Sequence, residues 1–239
     1  MYQKNVNLKN FNTFKIDKIA KHFFIANCLE ELSKYTGICP NAHILGMGSN
    51  ILILNDIDTV IKLGSSFAAA RPLSYYCNKF LRQGLSGFEP FVGIPGSLGG
   101  AIKMNAGGKD GEIGSIIDFV VIFNEEIKIV RPLFRYRNSN INGIILDCRF
   151  RNIRPDNYDA IHSRMLSILG EKKNTQPLDK LTAGCIFKNP DQISAAKLIE
   201  SCNVDVKSDT VQISRKHHNF LEASENTNPH DILEINYSF

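Results

Sequence analysis

Short apolar runs separated by turn residues recur along the chain and predict strands rather than long helices. The runs at 22–28 and 60–64 are of this kind, and 42–56 reads as a strand, a glycine turn and a second strand. The stretch 113–153 is rich in β-forming residues, with candidate strands at 116–124, 126–130 and 143–153. Because glycines interrupt the early runs, none is long enough for a buried helix.

Helical spacing of apolar residues appears between these runs. It predicts helices over 29–36, 72–84, 156–173 and 193–203. In the third of these, Ile161, Met165, Ile168 and Leu169 share one face, and Gly84 is a candidate C-terminal cap for the second. The end of the chain, 228–239, again has helical spacing. This mixture predicts an α+β protein.

Composition narrows the class of protein. The 239 residues include 43 % hydrophobic residues, without an apolar run long enough to span a membrane and without an apolar leader at the start. We therefore expect a cytoplasmic protein, without membrane contact, and free thiols at its six cysteines. The net charge of +4 is not concentrated in one block, which favours a local phosphate site over nucleic-acid binding. His217 and His218 are adjacent and lack further ligands, so we expect no metal.

Two glycine-rich segments, GMGSN (46–50) and GIPGSLGGAIKMNAGG (93–108), are the strongest local signal. Neither has the spacing of a Rossmann fingerprint or of a P-loop. Glycines allow backbone N–H groups to approach a phosphate closely, and successive amides can form an anion-binding nest. The alternative is that these glycines only form tight turns. Two such loops beside strands fit a diphosphate between two small subdomains.

Several motifs together resemble one enzyme family. They are NTFKI (12–16), GMGSNILI (46–53), the stretch 84–108, YRNS (136–139), AGCIFKNP (183–190) and HHNFLEAS (217–224). In this order they are similar to the UDP-N-acetylenolpyruvoylglucosamine reductases, also called UDP-N-acetylmuramate dehydrogenases, of the shorter second type. The resemblance implies an FAD-binding fold of the PCMH (vanillyl-alcohol oxidase) type, with FAD-binding subdomains at 1–64 and 65–153 and a substrate-binding domain at 154–239.

The same resemblance implies an activity. It is the NADPH-dependent reduction of the enolpyruvyl ether of UDP-N-acetylglucosamine to the lactyl ether of UDP-N-acetylmuramate, in peptidoglycan synthesis. The implied partners are the UDP-sugar substrate, FAD and NADPH, and we expect a monomer. Two rival hypotheses remain open. One is another FAD oxidase or dehydrogenase of the same fold, and the other is a flavin-binding protein without activity.

The resemblance also implies roles for single residues. Cys185 stands where most members have serine, as the proton donor to C2, and a thiol is a stronger acid than a hydroxyl. Arg137 matches the arginine that stabilises the enolate. The alternatives are that Cys185 is a buried structural thiol and that Arg137 is a surface arginine at a strand end. We expect Tyr136, Ser139, Lys188 and Asn189 to contact the substrate, although Lys188 alone would read as a solvated lysine.

FAD contacts are implied mainly in the two glycine segments. The candidate residues are Thr13, Gly46, Gly48, Ser49, Asn50, Ile51, Ile94, Pro95, Gly96, Ser97, Gly99, Gly100, Asn105, Ala106 and Gly107.

The chain departs from the family pattern at three places. The glycines that usually follow TFKI are replaced by DKIA, and the further strand or two that the family usually carries between 67 and 68 is missing. The glutamate that helps to polarise the substrate lies beyond the last motif and has no counterpart here. Because 228–239 shows helical spacing without a closing signal, we expect the biological protein to continue and to supply this glutamate.

Overall fold

The structure is a computed structural model that describes residues 1–190, 193–202 and 207–237. The helices are α1 (Leu29–Ile38), α2 (Leu73–Arg82), α3 (Leu98–Lys103), α4 (Tyr158–Thr175), α5 (Ala195–Ser201) and α6 (Pro229–Tyr237). The strands are β1 (Tyr2–Asn7), β2 (Ile19–Ala26), β3 (His43–Ile44), β4 (Ile57–Leu63), β5 (Leu85–Ser86), β6 (Gly107–Gly108), β7 (Gly111–Glu112), β8 (Ile117–Asn124), β9 (Glu126–Val130), β10 (Phe134–Arg135), β11 (Asn138–Ser139), β12 (Ile144–Phe150), β13 (Arg154–Pro155), β14 (Val211–Ile213) and β15 (Leu221–Ala223). The mixed content of helices and strands is confirmed.

Most predicted elements are present, and one is wrong. The predicted strands at 22–28, 60–64 and within 113–153 coincide with β2, β4, β8, β9 and β12, and each predicted helix has a counterpart. The second strand predicted within 42–56 is absent, since residues 51–54 have no strand pairing. The glycine turn explains the difference, because the carbonyl of Gly48 accepts a hydrogen bond from Thr13 N–H at 3.1 Å instead of starting a hairpin.

Two sheets contain the longer strands. One has the order β1-β2-β4-β3, in which β3 and β4 run parallel, and the other is the antiparallel set β12-β8-β9. Glu125, with φ of 62°, forms the tight turn between β8 and β9. Because side chains alternate along a strand, β8 buries Val120 and Ile122 on one face of its sheet.

The described residues fall into two compact units. The first contains Met1–Gln3, His22–Met47 and Thr59–Gly170, and the second contains Lys4–Lys21, Gly48–Asp58 and Glu171–Phe239. This grouping by proximity does not test the functional domains expected at 1–64, 65–153 and 154–239, which stay a prediction. In the part of the chain that the structure describes, no helix is long and apolar enough to cross a membrane. The cytoplasmic location and the monomeric state also stay predictions.

The first unit has an aromatic core that fixes the glycine-rich stretch 84–108. Phe88 stacks on Phe80 of α2 with ring centroids 4.4 Å apart, and Phe150 of β12 meets Phe88 edge-on at 5.0 Å. Phe91, Leu98 and Ile102 are buried in the same cluster. The apolar residues between the glycines therefore anchor the stretch, and burial of each contributes about 1.5–3 kcal/mol.

Candidate active site

Arg137 lies in a tight turn between β10 and β11, with a positive φ of 52°. Its guanidinium folds back onto the end of the glycine stretch. Nη1 donates to the carbonyl of Asn105 at 3.1 Å and to Glu112 Oε1 at 3.2 Å, and Nη2 donates to the carbonyl of Gly107 at 2.7 Å. The structure therefore brings together Arg137, Asn105 and Gly107, three of the predicted site residues.

Asn105 is the buried centre of this group. Its side chain is 2 % exposed, and its amide donates to Glu112 Oε2 at 2.7 Å and to the carbonyl of Arg135 at 3.0 Å. Its Oδ1 accepts from Gly114 N–H at 3.0 Å. Both amide hydrogens of its side chain are thus committed to the protein.

The neighbouring candidates for substrate contact differ in exposure. The ring of Tyr136 is 44 % exposed and covers one face of Arg137, with the guanidinium carbon 4.9 Å from the ring centroid. Ser139 is buried and donates its hydroxyl hydrogen to the carbonyl of Lys103 at 2.9 Å. The ring of Tyr136 is therefore open to solvent, whereas the hydroxyl of Ser139 links β11 to the end of α3.

A cavity of about 380 Å³ lies within the first unit beside the two glycine segments. Four of the predicted FAD residues line it: Gly46, Ser97, Gly99 and Gly100. Lys62 and Lys103 also line it, together with apolar residues of β3, β4 and β12. Among its described lining residues none carries a carboxylate, so the cavity combines apolar walls with two cationic side chains.

Lys62 holds the first glycine segment at the cavity wall. Its Nζ donates to the carbonyl of Gly46 and, at 3.3 Å, to that of Leu45. Burial lowers the pKa of Lys62 to about 8, because the charged ammonium loses its contact with water. Lys103 donates to the carbonyl of Ile141 at 2.6 Å.

The other predicted FAD residues of the second glycine segment make contacts within the protein. Ser97 caps α3 by accepting from Gly100 N–H at 3.2 Å, and the carbonyl of Gly96 accepts from Leu73 N–H at 2.9 Å. Ile94 and Ala106 pack against the aromatic core, whereas Pro95 is exposed. Gly107 pairs with Glu112 between β6 and β7.

The predicted FAD residues that lie in the second unit cluster around Gly48. A Cβ at Gly48 would lie 2.1 Å from the carbonyl oxygen of Phe11, and its φ is 66°, so only glycine fits. Thr13 donates to the carbonyl of Gly48 from its N–H at 3.1 Å and from its hydroxyl at 3.4 Å. Ser49 is half-buried, and Asn50 and Ile51 are exposed.

Cys185 lies on the surface of the second unit, not in its core. The residue is exposed and forms an isolated antiparallel bridge with Phe220. Asn219, which is 1 % exposed, holds the following segment through Ile186 and Phe187. The structural-thiol alternative requires burial, and the exposure of Cys185 therefore argues against it.

Lys188 and Asn189 follow on the same segment and are exposed. Asn189 Oδ1 accepts a hydrogen bond from Ala195 N–H at 3.0 Å, at the start of α5. Its side chain therefore has a structural task besides any contact with a ligand. The roles assigned to Lys188, Asn189 and the other site residues stay predictions.

Sequence reasoning did not single out Glu112, Lys62 or Asn219. Glu112 is one acidic residue in GKDGEIG, and Lys62 interrupts a strand pattern that reads as half-exposed. Asn219 does lie within a quoted motif, HHNFLEAS, and a small amide followed by an apolar pair is the available signal. No group of three His, Cys, Asp or Glu side chains that could hold a metal occurs among the described residues.

Comparisons with known proteins agree with one another. Residues 176–237 match the family model described as UDP-N-acetylenolpyruvoylglucosamine reductase, C-terminal domain. The chain is 32 % identical to the UDP-N-acetylenolpyruvoylglucosamine reductase of Clostridium novyi, over 98 % of the chain and 84 % of that protein. It is 33 % identical to that of Orientia tsutsugamushi, over 98 % and 86 % respectively.

A solved structure extends the likeness to the fold. The crystal structure of UDP-N-acetylenolpyruvylglucosamine reductase (MurB) from Thermus caldophilus superposes with a TM-score of 0.91 at 29 % identity, covering 100 % of this chain and 94 % of that one. The resemblance stated from the motifs is confirmed: the chain belongs to the UDP-N-acetylenolpyruvoylglucosamine reductase family.

Proposed function

We propose that the chain uses FAD as its bound cofactor and NADPH as its reductant. It is an oxidoreductase that reduces UDP-N-acetylenolpyruvoylglucosamine in peptidoglycan synthesis, as its family membership establishes. The proposal adds the identity of the cofactor, the electron donor and the residues that act. It also assigns a PCMH-type arrangement, with FAD-binding subdomains and a separate substrate-binding domain.

The cavity beside the glycine segments is the observation that carries the proposal. Its volume of about 380 Å³ lies in the range of small-molecule sites, and its walls are largely apolar. A Cβ at Gly46 would lie 2.9 Å from Ser97 Oγ, so glycine there lets the two glycine segments pack closely at the cavity wall, and Lys62 and Lys103 supply positive charge. Apolar walls for a ring system and cations for a diphosphate fit the two halves of FAD.

The residues that would hold FAD form two sets. Gly46, Ser97, Gly99 and Gly100 line the cavity, and Thr13, Gly48, Ser49 and Asn50 form the loop in the second unit. When bound, FAD would supply the hydride-transfer chemistry that links NADPH to the enolpyruvyl double bond. The chain must then bind the substrate carboxylate, stabilise the negative charge that develops next to it, and deliver a proton.

Arg137 is assigned to the carboxylate. A guanidinium stays protonated throughout the working pH range and can bind both carboxylate oxygens at once. Hydride addition at C3 of the enolpyruvyl group leaves negative charge on C2 that spreads into this carboxylate. A cation fixed there before the reaction stabilises the developing charge without rearranging.

Cys185 is assigned to the proton that C2 requires. Its exposure leaves the thiol accessible to a substrate, and the hydrogen bonds of Asn219 fix the segment that follows it. In this assignment the S–H bond breaks as the C2–H bond forms, and the resulting thiolate regains a proton from water. Serine, which most members have at this position, would transfer its hydroxyl proton in the same way.

Flavin absorbance tests the proposal and separates it from its rivals. The purified protein should show a flavin spectrum as isolated or after incubation with FAD. NADPH should bleach the spectrum in the absence of oxygen, and UDP-N-acetylenolpyruvoylglucosamine should then restore it in one turnover. A protein that oxygen reoxidises but the substrate does not would be an oxidase. A flavin that NADPH does not bleach would indicate a binding protein without activity.

A further inference from the structure

The guanidinium of Arg137 is held along one edge by the protein. Nη1, which has two hydrogens, faces two acceptors, the carbonyl of Asn105 and Oε1 of Glu112. Nη2 gives one hydrogen to the carbonyl of Gly107. Three of the five N–H donors of an arginine are therefore directed at described groups, two from Nη1 and one from Nη2.

Nε–H donates to none of the described groups in the contacts of Arg137. The Nε/Nη2 edge of a guanidinium is one of its two edges that match the two oxygens of a carboxylate. The ring of Tyr136 covers one face, 4.9 Å from the guanidinium carbon. The protein contacts thus leave open the edge that a substrate carboxylate would need.

Glu112 is the charged member of the group that holds Arg137, and it is itself held. Its Oε2 accepts from the amide of Asn105 at 2.7 Å, while its Oε1 takes Nη1 of Arg137 at 3.2 Å. Asn105 is buried and spends its other side-chain donor and its acceptor on the backbone at Arg135 and Gly114. The carboxylate of Glu112 is therefore held in place by the buried side chain of Asn105, whereas a carboxylate in a surface ion pair is free to move.

The backbone of Arg137 supports the same conclusion. Its φ of 52° is rare for a residue with a side chain, and such conformations persist where the surroundings fix them. An ordinary exposed ion pair contributes little and does not select a conformation. Here the pair joins two turns, β6–β7 and β10–β11, at the position where the guanidinium is presented.

We infer that Glu112 is a positioning residue: it orients the guanidinium of Arg137 so that its free edge meets the carboxylate of the enolpyruvyl substrate. The inference rests on the proposed function, in which Arg137 binds that carboxylate. Glu112 contacts Arg137 and not the substrate. Its negative charge opposes an incoming carboxylate, so its removal does not weaken the electrostatic attraction of the substrate. Removal of Glu112 therefore lowers the rate of the reaction step, which depends on the orientation of the guanidinium.

Glu112→Gln tests the inference, with Glu126→Gln as the matched control. Glu126 is an exposed glutamate on β9 that pairs with Lys128 at 3.2 Å. We expect Glu112→Gln to lower kcat about 10- to 100-fold, the order of loss that a misplaced group produces. The KM for UDP-N-acetylenolpyruvoylglucosamine, and its Kd from the perturbed flavin spectrum, should stay equal or fall. The amount of bound FAD and the melting temperature of Glu112→Gln should match those of the control variant. If both fall while kcat per bound flavin is unchanged, Glu112 has only a structural role and the inference is overturned.

A double variant isolates the path through Arg137. The rate at which the substrate reoxidises reduced flavin is measured for Arg137→Ala, Glu112→Gln and the pair. If Glu112 acts through Arg137, the second substitution changes the Arg137→Ala rate by less than about twofold. Independent, multiplying effects would overturn the inference. If Arg137→Ala is slow and Glu112→Gln reacts at the parental rate, the inference about Glu112 is wrong while the proposed role of Arg137 stands. If Arg137→Ala reacts at the parental rate, both the inference and the proposed role of Arg137 are wrong.

Discussion

The amide of Asn219 binds both peptide groups of Phe187: Oδ1 accepts from its N–H at 2.9 Å and Nδ2 donates to its carbonyl at 2.8 Å. The backbone carbonyl of Asn219 also accepts from Ile186 N–H at 2.9 Å. A side chain that satisfies a donor and an acceptor of one residue imitates a strand partner. Asn219 therefore fixes the two residues that directly follow Cys185.

Asn219→Ala should loosen the Cys185 segment. It removes the two hydrogen bonds that Asn219 makes to the N–H and the carbonyl of Phe187, which costs about 1–3 kcal/mol of folding stability. Reoxidation of the reduced flavin by the substrate should slow, while reduction by NADPH is unchanged. Asn174→Ala, at an exposed position of α4, is the control and should alter neither quantity. Equal stability of the two variants in urea unfolding would contradict the assigned contacts.

Substitution of the adjacent residues Gly107 and Gly108 tests whether glycine is required at 107 for steric reasons. A Cβ at Gly107 would lie 2.2 Å from the carbonyl oxygen of Gly111, whereas one at Gly108 would have no neighbour within 4 Å. Gly107→Ala should therefore destabilise the flavin-free protein by about 1–3 kcal/mol, since the β6–β7 hairpin must open. Gly108→Ala should be neutral or slightly stabilising. Chemical unfolding without FAD measures both, and equal effects would refute the close approach.

Arg164 of α4 pairs with the buried carboxylate of Glu89, which lies within the glycine-rich stretch 84–108. Glu89 accepts from Arg164 Nη2 at 2.7 Å, from Ser86 Oγ at 2.8 Å and from Gly87 N–H at 2.6 Å. Burial raises the pKa of Glu89, but these hydrogen bonds outweigh it and the pKa is lowered overall. The stability that they contribute is present above the unfolded pKa and is lost as the pH falls through the folded one.

Arg164→Met should destabilise the protein by about 2–3 kcal/mol, because it leaves the charge of Glu89 buried without its partner. Adding Glu89→Gln should recover part of this loss, since an amide costs less to bury than an unpaired carboxylate. Arg131→Met is the control, because Arg131 pairs with Asp118 at 3.6 Å with its own side chain 80 % exposed. Additive losses in the double variant would show that the pair does not act as a unit.

The lowered pKa of Lys62 predicts that the folding stability rises with pH in the alkaline range. Its folded pKa of about 8 lies below the ordinary 10.5, so between these values the unfolded chain binds the extra proton and stability rises with pH. The total rise is roughly 3 kcal/mol, from 1.36 kcal/mol per unit. Lys62→Met should lack it in flavin-free protein, whereas Lys128→Met, at an exposed position on β9, should retain it. A rise that persists in Lys62→Met would contradict the assignment.

The same ammonium should respond to an anion in the cavity. A bound diphosphate favours the protonated form of Lys62, and Lys103 is the other cation that lines the site. FAD affinity should therefore fall as the pH rises above about 8 in the parent, and this dependence should be weaker in Lys62→Met. Fluorescence titration of FAD measures it without turnover. Parallel pH profiles for the two proteins would place the diphosphate elsewhere.

The elements that short β-rich runs or helical spacing define could be predicted from sequence. The strands at 116–124 and 126–130 are rich in β-forming residues, and Ile161 and Met165 of α4 recur at one turn's spacing. The wrong strand at 51–54 shows where the pattern fails. Its apolar run is real, but the turn at Gly48 bonds to Thr13, and such a long-range contact is not encoded in the local pattern.

The candidate site could be predicted only in part for the same reason. Arg137 stood out because it belongs to a motif, whereas Glu112, which holds it, is separated from it by 25 residues and by three strands. Lys62 looks like a solvent-facing strand residue until the fold buries it against the carbonyls of Leu45 and Gly46. Charged residues acquire their role from partners distant in sequence, which periodicity does not reveal.

Cys185 as proton donor is the central claim, and single-turnover mixing tests it most directly. Protein reduced by NADPH without oxygen is mixed with UDP-N-acetylenolpyruvoylglucosamine, and the return of flavin absorbance is followed. Cys185→Ala should be reduced by NADPH at the parental rate but reoxidised by the substrate slower by several orders of magnitude, while Cys185→Ser keeps much of the rate. Reoxidation of Cys185→Ala by the substrate at the parental rate would contradict the account.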